Sequence, residues 1–218
     1  MKIINNRFSD ASSALVASRT EEKSFAEIIA STLDHFVAQS WQWDHFPNFG
    51  SLIQVTNNQT TVIGCVTHVE TGSMDPLRSP FPYQKTESQL LAEQPQIFEF
   101  LRTTFKVQIL GYFENTNQQK ITYQLAPKPC KIHSFVTQSS PEMIRLFFTK
   151  ADYLHLLFAF AHQIHNIDEL LLAIIHQLTD QKLFSQEHFE SLCEMYSLLT
   201  ANDYRRMKLF LQRIEQLI

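Results

Sequence analysis

Hydrophobic positions along this chain repeat with two different periods, and the changes between them divide it into stretches. In SFAEIIASTLDHFV, residues 24–37, the apolar side chains Phe25, Ile28, Ile29, Leu33, Phe36 and Val37 recur at helical spacing. Ser24 and Glu27 fit a capping box, in which the two side chains reciprocally satisfy orphan backbone N–H groups. This pattern predicts an amphipathic helix, preceded by a loose arm over residues 1–22, where no period is visible. The aromatic WQWDHFPNF that follows reads as an extended link. Between residues 50 and 70 the period drops to two, with SLIQVT and TTVIGCVTHV alternating on either side of the turn-rich NNQ. Phe105, Val107 and Ile109 alternate in FKVQILGYFE, and Ile121, Tyr123 and Leu125 in ITYQL, with NTNQQ placed as a hairpin turn. KIHSFV adds a short strand after the PKP corner. Such strands predict a small antiparallel barrel or curled sheet, since closure removes exposed edges.

Residues 71–104 interrupt the strands. Thr86 with Gln89 fits a cap for a short helix carrying Leu90 and Leu91, and Pro95 fits the first turn of another carrying Ile97, Phe98 and Leu101. Gly72 suits a sharp turn into this insertion, and Pro76, Pro80 and Pro82 stiffen it. From residue 138 onward the period is helical. Ser140 and Pro141 open one helix, ADYLHLLFAFAHQI forms the next, Asn166 caps a third, Ser185 a fourth, and Thr200 with Asp203 the last. The short links predict antiparallel neighbours. The expected fold class is α+β: an arm and amphipathic helix over 1–45, a small β-barrel over 46–137 with a helical insertion at 71–104, and an all-α bundle over 138–218, with the boundary near Thr137.

Composition sharpens this picture. The 218 residues are 44% hydrophobic, enough to bury a substantial core, and the net charge of −4 provides no chain-wide attraction for nucleic acid or an anionic membrane. Cys65, Cys130 and Cys193 stand too far apart for a CxxC pair or a zinc ribbon, which fits buried thiols in a reducing compartment. With no signal-like apolar run at the start, and LHLLFAFAHQI too short to span a bilayer, a cytoplasmic protein without a membrane segment is expected. Eighteen phenylalanines stand against four glycines, a balance that disfavours any activity built on a Gly-rich loop.

FGSLIQVT, VIGCVTHVETGSMDP, VQILGYFE and APKPCKIHSFV together resemble a HAS barrel, the small barrel at the front of HerA-type translocases and of ATP-synthase catalytic subunits. DELLLAIIHQLTDQKLFS and LLTANDYRRMKLFLQRIE resemble the tail of a cyanobacterial and algal group of barrel-plus-helices proteins, which brings no activity with it. The resemblance implies architecture and assembly, since such barrels pack side by side and hold partner proteins. It does not carry the motor chemistry. No G-x-x-x-x-G-K-[ST] loop is present, and no glycine follows Gly111.

Three places hold candidate chemistry. His68 and Glu70 lie two apart in a strand and so face one way, with Asp75 and Arg78 across the following turn. These four residues are the candidate polar ligand site for a metal, an acid–base pair or a charged ligand. The structural reading makes Asp75 an Asx-type turn ahead of Pro76 and pairs Arg78 with Glu70. His162, His165 and Glu169, with His155 on the same stripe, have loose metal spacing, but Asn166 as a cap turns Glu169 away, and edge histidines are the favoured account. Arg205, Arg206, Lys208 and Arg213 give residues 201–218 a local charge of +2, four bases against Asp203 and Glu215. That set suits phosphate or nucleic-acid contact, against a structural reading in which bases favour the helix C-terminus. Phe81, Tyr83 and the two tryptophans suggest an aromatic recognition surface. No catalytic residue, metal site or cofactor is expected. The favoured function is a non-catalytic protein-interaction or assembly module, with a protein partner or a homo-oligomer. The alternatives are a metal- or small-ligand-binding enzyme using the His68–Arg78 region and a nucleic-acid-associated accessory protein.

Overall fold

Six antiparallel strands close into a barrel in the computed structural model, which describes residues 24–75, 77, 80–116 and 120–217. The expected loose arm at 1–22 lies outside them. The strands are β1 (Ser24–Ser31), β2 (His35–Ser40), β3 (Leu52–Thr56), β4 (Thr60–Ser73), β5 (Leu101–Glu114) and β6 (Phe135–Gln138). Around the barrel they run β1-β2-β5-β4-β3-β6, and β6 pairs back onto β1. Ala26, Ile28, Phe36, Ala38, Ile53, Val55, Val62, Val66, Phe105, Val107, Ile109 and Val136 fill the interior, the alternation a pleated stave imposes.

Two sequence expectations are overturned here. The segment expected as an amphipathic helix is the β1–β2 hairpin, so the barrel's described strands begin at Ser24 rather than near residue 46. A bulge between Ile28 and Ala30 shifts the register by one residue. That shift breaks the period of two and leaves the apolar letters at intervals that imitate a helix. ITYQL, expected as a stave, makes only one isolated bridge, Tyr112 to Thr122. Its alternation has another cause: Tyr123 and Ile121 pack against the helical core, and the Tyr123 hydroxyl donates to the Phe147 carbonyl at 2.6 Å.

β4 and β5 are each 14 residues long and pair from Thr60↔Glu114 to Ser73↔Leu101. Between their far ends lie two short helices, α1 (Glu87–Glu93) and α2 (Gln96–Glu99). The insertion is therefore narrower than 71–104, because its flanks belong to the strands. Gly72 sits inside β4 opposite Arg102, not in a turn. The Thr86–Gln89 capping box forms as expected.

The C-terminal helices are α3 (Pro141–Phe147), α4 (Tyr153–Ala159), α5 (Ile167–Asp180), α6 (Gln186–Leu199) and α7 (Tyr204–Ile214). Ser140, Asn166, Ser185 and Asp203 each accept backbone N–H groups as N-caps. Thr200 closes α6 instead of opening α7. The second helix stops at Ala159, and Ala161–Gln163 form a separate 3-10 turn. These helices share a core with the outer wall of the barrel: Leu52, Ile63, Cys65, Leu110 and Phe113 point outward into Leu154, Leu157, Leu170, Leu171 and Ile174 among others. β4 is thus buried on both faces from Thr61 to Thr67. Gly50, at φ +85°, lets the chain approach α5, where an added Cβ would lie 3.1 Å from the Ala173 Cβ. Gln177 of α5 clamps this turn, donating to the Phe49 carbonyl at 2.7 Å and accepting from the Ser51 hydroxyl at 2.9 Å.

His188 lies in this core at 2% exposure. Phe148, Tyr153 and Phe184 surround it, and Tyr153 Oη is 3.3 Å from its Nε2. Burial pushes its pKa down from 6.5 to about 4. The unfolded chain takes up this proton near 6.5 and the folded chain only near 4, so acidification across that window favours unfolding. Stability is expected to fall by about 3 kcal/mol between pH 7 and pH 4 on this account. His188→Phe should flatten that limb of the urea-denaturation profile, and an unchanged limb would contradict the burial argument.

Gly64 provides a second test. A Cβ there would lie 2.5 Å from Val107 Cγ1 and 2.7 Å from the Gln108 carbonyl oxygen, whereas Gly72 has nothing within 4 Å. Gly64→Ala is expected to cost about 1–3 kcal/mol in urea denaturation, and Gly72→Ala about 0.5 kcal/mol or less.

Candidate functional site

The β4–β5 ladder outruns its neighbours. β3 pairs with β4 only over residues 61–65, and β2 pairs with β5 only over residues 104–108. Beyond those limits the two strands form a ribbon arm that carries α1 and α2. A two-stranded ribbon is marginal by itself. This one is buttressed by the loop after β2: Thr103 donates its hydroxyl to the Trp43 carbonyl, and the Trp43 ring stacks on Phe98 of α2 at 5.6 Å and 29°. The Thr71 and Thr103 hydroxyls pair across the ribbon at 2.7 Å.

At the tip, arm and insertion enclose a crevice of about 390 Å³. Phe81, Leu90, Ile97, Phe98, Phe100 and Leu101 make its walls, with Ser73, Asp75 and Tyr83 supplying polar atoms. Phe81 and Tyr83 meet edge to face at 5.6 Å. Outside the crevice proper, Met74, Leu77 and Leu91 are also exposed. The crevice has the form of a recognition pocket, mostly apolar with a few polar groups.

The sequence-predicted polar site is only partly assembled. His68 and Glu70 share the exposed face of β4, opposite Lys106 and Thr104 of β5. Asp75 lies at the crevice and forms the expected Asx turn, accepting from the Leu77 N–H at 2.9 Å, while its own N–H donates to the Ser73 hydroxyl at 3.1 Å. The crevice takes in Asp75 but neither His68 nor Glu70. Arg78 lies outside the described residues.

The basic set divides. Arg206 holds Asp168 in a bidentate pair, with Nε to Oδ2 at 3.0 Å and Nη2 to Oδ1 at 2.7 Å, and the Tyr196 hydroxyl donates to the same carboxylate at 3.0 Å. Arg213 Nη1 meets Glu169 Oε1 at 2.6 Å, and its hydrogen bond holds the Glu169 carboxyl below the usual range. Arg205 and Lys208 are exposed. Two of the four candidate phosphate contacts therefore staple α7 to the start of α5. His162 lies on the 3-10 turn, His165 beyond it, and Glu169 turns to Arg213. Among the described residues no three His, Cys, Asp or Glu side chains are grouped to hold a metal ion. No helix among them is long and apolar enough to cross a membrane.

One polar cluster was not expected. In the β1–β2 turn, Asp34 accepts from the Thr32 hydroxyl at 2.8 Å, lies 3.0 Å from His35 Nδ1, and accepts from Gln163 Nε2 at 3.0 Å. Lys106 Nζ donates to Gln163 Oε1 at 3.0 Å, and Gln108 Nε2 donates to the Asp34 carbonyl at 2.8 Å. The cluster ties the barrel rim to the 3-10 turn of the helical region. Burial raises the Asp34 pKa, but the hydrogen bonds from His35, Thr32 and Gln163 outweigh it and hold the carboxyl well below its ordinary value. Reading residues 24–37 as a helix hid this turn; the T-x-D triad at its apex was the available signal.

No model of a known protein family matches the chain, and no curated protein matches it.

A carboxyl with a depressed folded pKa contributes stability in full above its unfolded value, 3.8, and loses it as pH falls below that value. Asp34→Asn is expected to cost about 1–3 kcal/mol at pH 7 in urea denaturation and to remove part of the acid limb below about pH 4. A variant as stable as wild type at pH 7 would show that the clamp does not hold the rim.

Proposed function

We propose that this protein is a non-catalytic interaction or assembly module that engages a protein partner through the tip of its β4–β5 arm. One observation carries the reading: Phe81 and Phe100 line the tip crevice while 71% and 56% exposed. A chain that packs Phe36, Phe105 and Phe147 to 1% exposure or less has no folding reason to leave these rings in water. Aromatic side chains beside an apolar crevice are what interface cores are made of. The crevice begins where the β4–β5 ladder ends, at Ser73 and Leu101.

The competing readings have less support. The ligand-binding reading needs His68, Glu70 and Asp75 at one point, and only Asp75 reaches the crevice. The nucleic-acid reading needs a continuous basic face, and Arg206 and Arg213 are committed to Asp168 and Glu169. The likeness of the strands to HAS barrels, which assemble with partners, supports the same direction. Three free cysteines, two of them buried, fit a cytoplasmic setting.

The test is affinity capture from the native cell with wild-type protein and with Phe81→Ser/Phe100→Ser, combined with solution mass. A stoichiometric protein partner, or a self-associated species, is expected with wild type and lost in the variant, whose circular dichroism and melting should match wild type. Equal capture by both proteins, or a monomer retaining no stoichiometric partner, would overturn the reading.

A further inference from the structure

Closing the barrel removes its edges, but the β4–β5 arm brings two back. One is covered: the loop after β2 lies along β5, where the Thr103 hydroxyl donates to the Trp43 carbonyl. The other, along β4, is open. At its base Val66 is still engaged, its N–H donating to the Ser51 carbonyl at 3.0 Å and its carbonyl accepting from the Gly50 N–H at 2.8 Å. Farther out, the register fixes which groups face outward. The Met74 N–H donates to the Phe100 carbonyl at 2.7 Å, so Gly72↔Arg102, Glu70↔Thr104 and His68↔Lys106 are the hydrogen-bonded pairs of the antiparallel ladder. Val69, Thr71 and Ser73, between them, turn their backbone N–H and C=O groups away from β5. Among the described residues these backbone groups meet no partner. Such a row of unpaired groups is a template for another strand.

The side chains say which strand. Glu70, Gly72 and Arg102 lie on one face of the arm, since alternate residues and directly opposed pairs share a face. Neither Glu70 nor Arg102 is in an ion pair among the described residues. Between them Gly72 leaves open space, with nothing within 4 Å of an added Cβ.

We infer that this edge pairs with the same edge of a second copy, antiparallel about a two-fold axis at Thr71. Thr71 then exchanges backbone bonds with the second copy's Thr71, and Val69 with its Ser73, so every free group is used and the interface is isologous. In this register Glu70 lies opposite the second copy's Gly72, and Arg102 is next in the row. The two Cα atoms are about 9–10 Å apart, two strand spacings, and the missing side chain at Gly72 lets the carboxylate and guanidinium meet. Symmetry makes this contact twice. An axis at Glu70 would set the two glutamates side by side, which disfavours that register. Pairing also turns a two-stranded ribbon, marginal by itself, into a four-stranded sheet. The inference goes beyond the proposed function, because it uses the side of the arm and not the crevice at its tip.

The experiment follows solution mass against concentration by sedimentation equilibrium on the full chain. Wild type is expected to pass from monomer to dimer. Phe81→Ser/Phe100→Ser should do the same, so that the tip reading is judged on captured partner alone. Thr71→Pro removes the central N–H of the edge and should leave only monomer. Glu70→Arg and Arg102→Glu should each weaken the dimer about tenfold. Mixing these two single variants should restore it, because both rows of the mixed dimer again join opposite charges. A Glu70–Arg102 pair within one copy would be repaired in the double variant Glu70→Arg/Arg102→Glu but not by mixing. Circular dichroism melting checks the fold of each variant, and if Thr71→Pro does not fold, the mixing experiment decides. A monomer at every concentration, a dimer indifferent to the charge variants, or rescue in the double variant without rescue in the mixture would overturn the inference. A dimer lost only in Phe81→Ser/Phe100→Ser would place the contact at the tip, leaving the interaction reading standing and this one overturned.

Discussion

Everything in this molecule depends on one long-range pairing, the antiparallel contact of β1 with β6 that closes the barrel. Ala26 faces Val136 and Glu27 faces Phe135, joining segments more than a hundred residues apart in sequence. The joint is reinforced at its end by backbone bonds between Ile28 and both His133 and Ser134. Contacts of such sequence separation require much of the intervening chain to be in place first. Without this pairing β1 and β6 would each present an unpaired edge, and the interior formed by Ile28, Phe36, Phe105 and Val136 would open to water.

Closure also divides the labour of the wall. On the side formed by β3, β4 and β5 the outward residues Leu52, Ile63, Cys65, Leu110 and Phe113 are covered by helices, so the barrel and the bundle are packed as a shared core. On the side formed by β1, β2 and β6, Glu27, Ile29 and Phe135 face outward and remain partly or largely exposed. The helices are fixed to their side by polar contacts as well as apolar ones. Gln177 clamps the Gly50 turn, and Gln163 joins Asp34 to Lys106. The arm is the only pair of strands extended past its neighbours among the described residues, and the loop holding Trp43 ties it back.

What the sequence made legible was local. The caps at Thr86, Ser140, Asn166, Ser185 and Asp203 were readable because a cap is a contact between residues two or three apart. The strand TTVIGCV was readable from its short period, but its burial on both faces was not, because that depends on helices far along the chain. Where the reading failed, a distant partner decided the outcome. The hairpin at 24–40 is a hairpin because β5 and β6 flank it, and its bulge disguised the alternation. Arg206 and Arg213 look like a basic stripe until Asp168 and Glu169, 38 and 44 residues away, are brought beside them. The aromatic surface was half legible: Phe81 and Tyr83 stood out in a polar stretch, but the crevice needed Leu90, Ile97 and Phe100 folded back over them.

The position of Cys65 has a consequence of its own. Its thiol points out of β4 into the seam between the barrel wall and the helices, fully buried, with burial raising its pKa so that it stays in the unreactive protonated form. A maleimide or disulfide reagent therefore reaches it only when the two layers part. The rate of that single alkylation is a built-in clock for the peeling of helices from barrel, separable from collapse of the barrel itself, for which Cys130, buried against the barrel interior, keeps separate time.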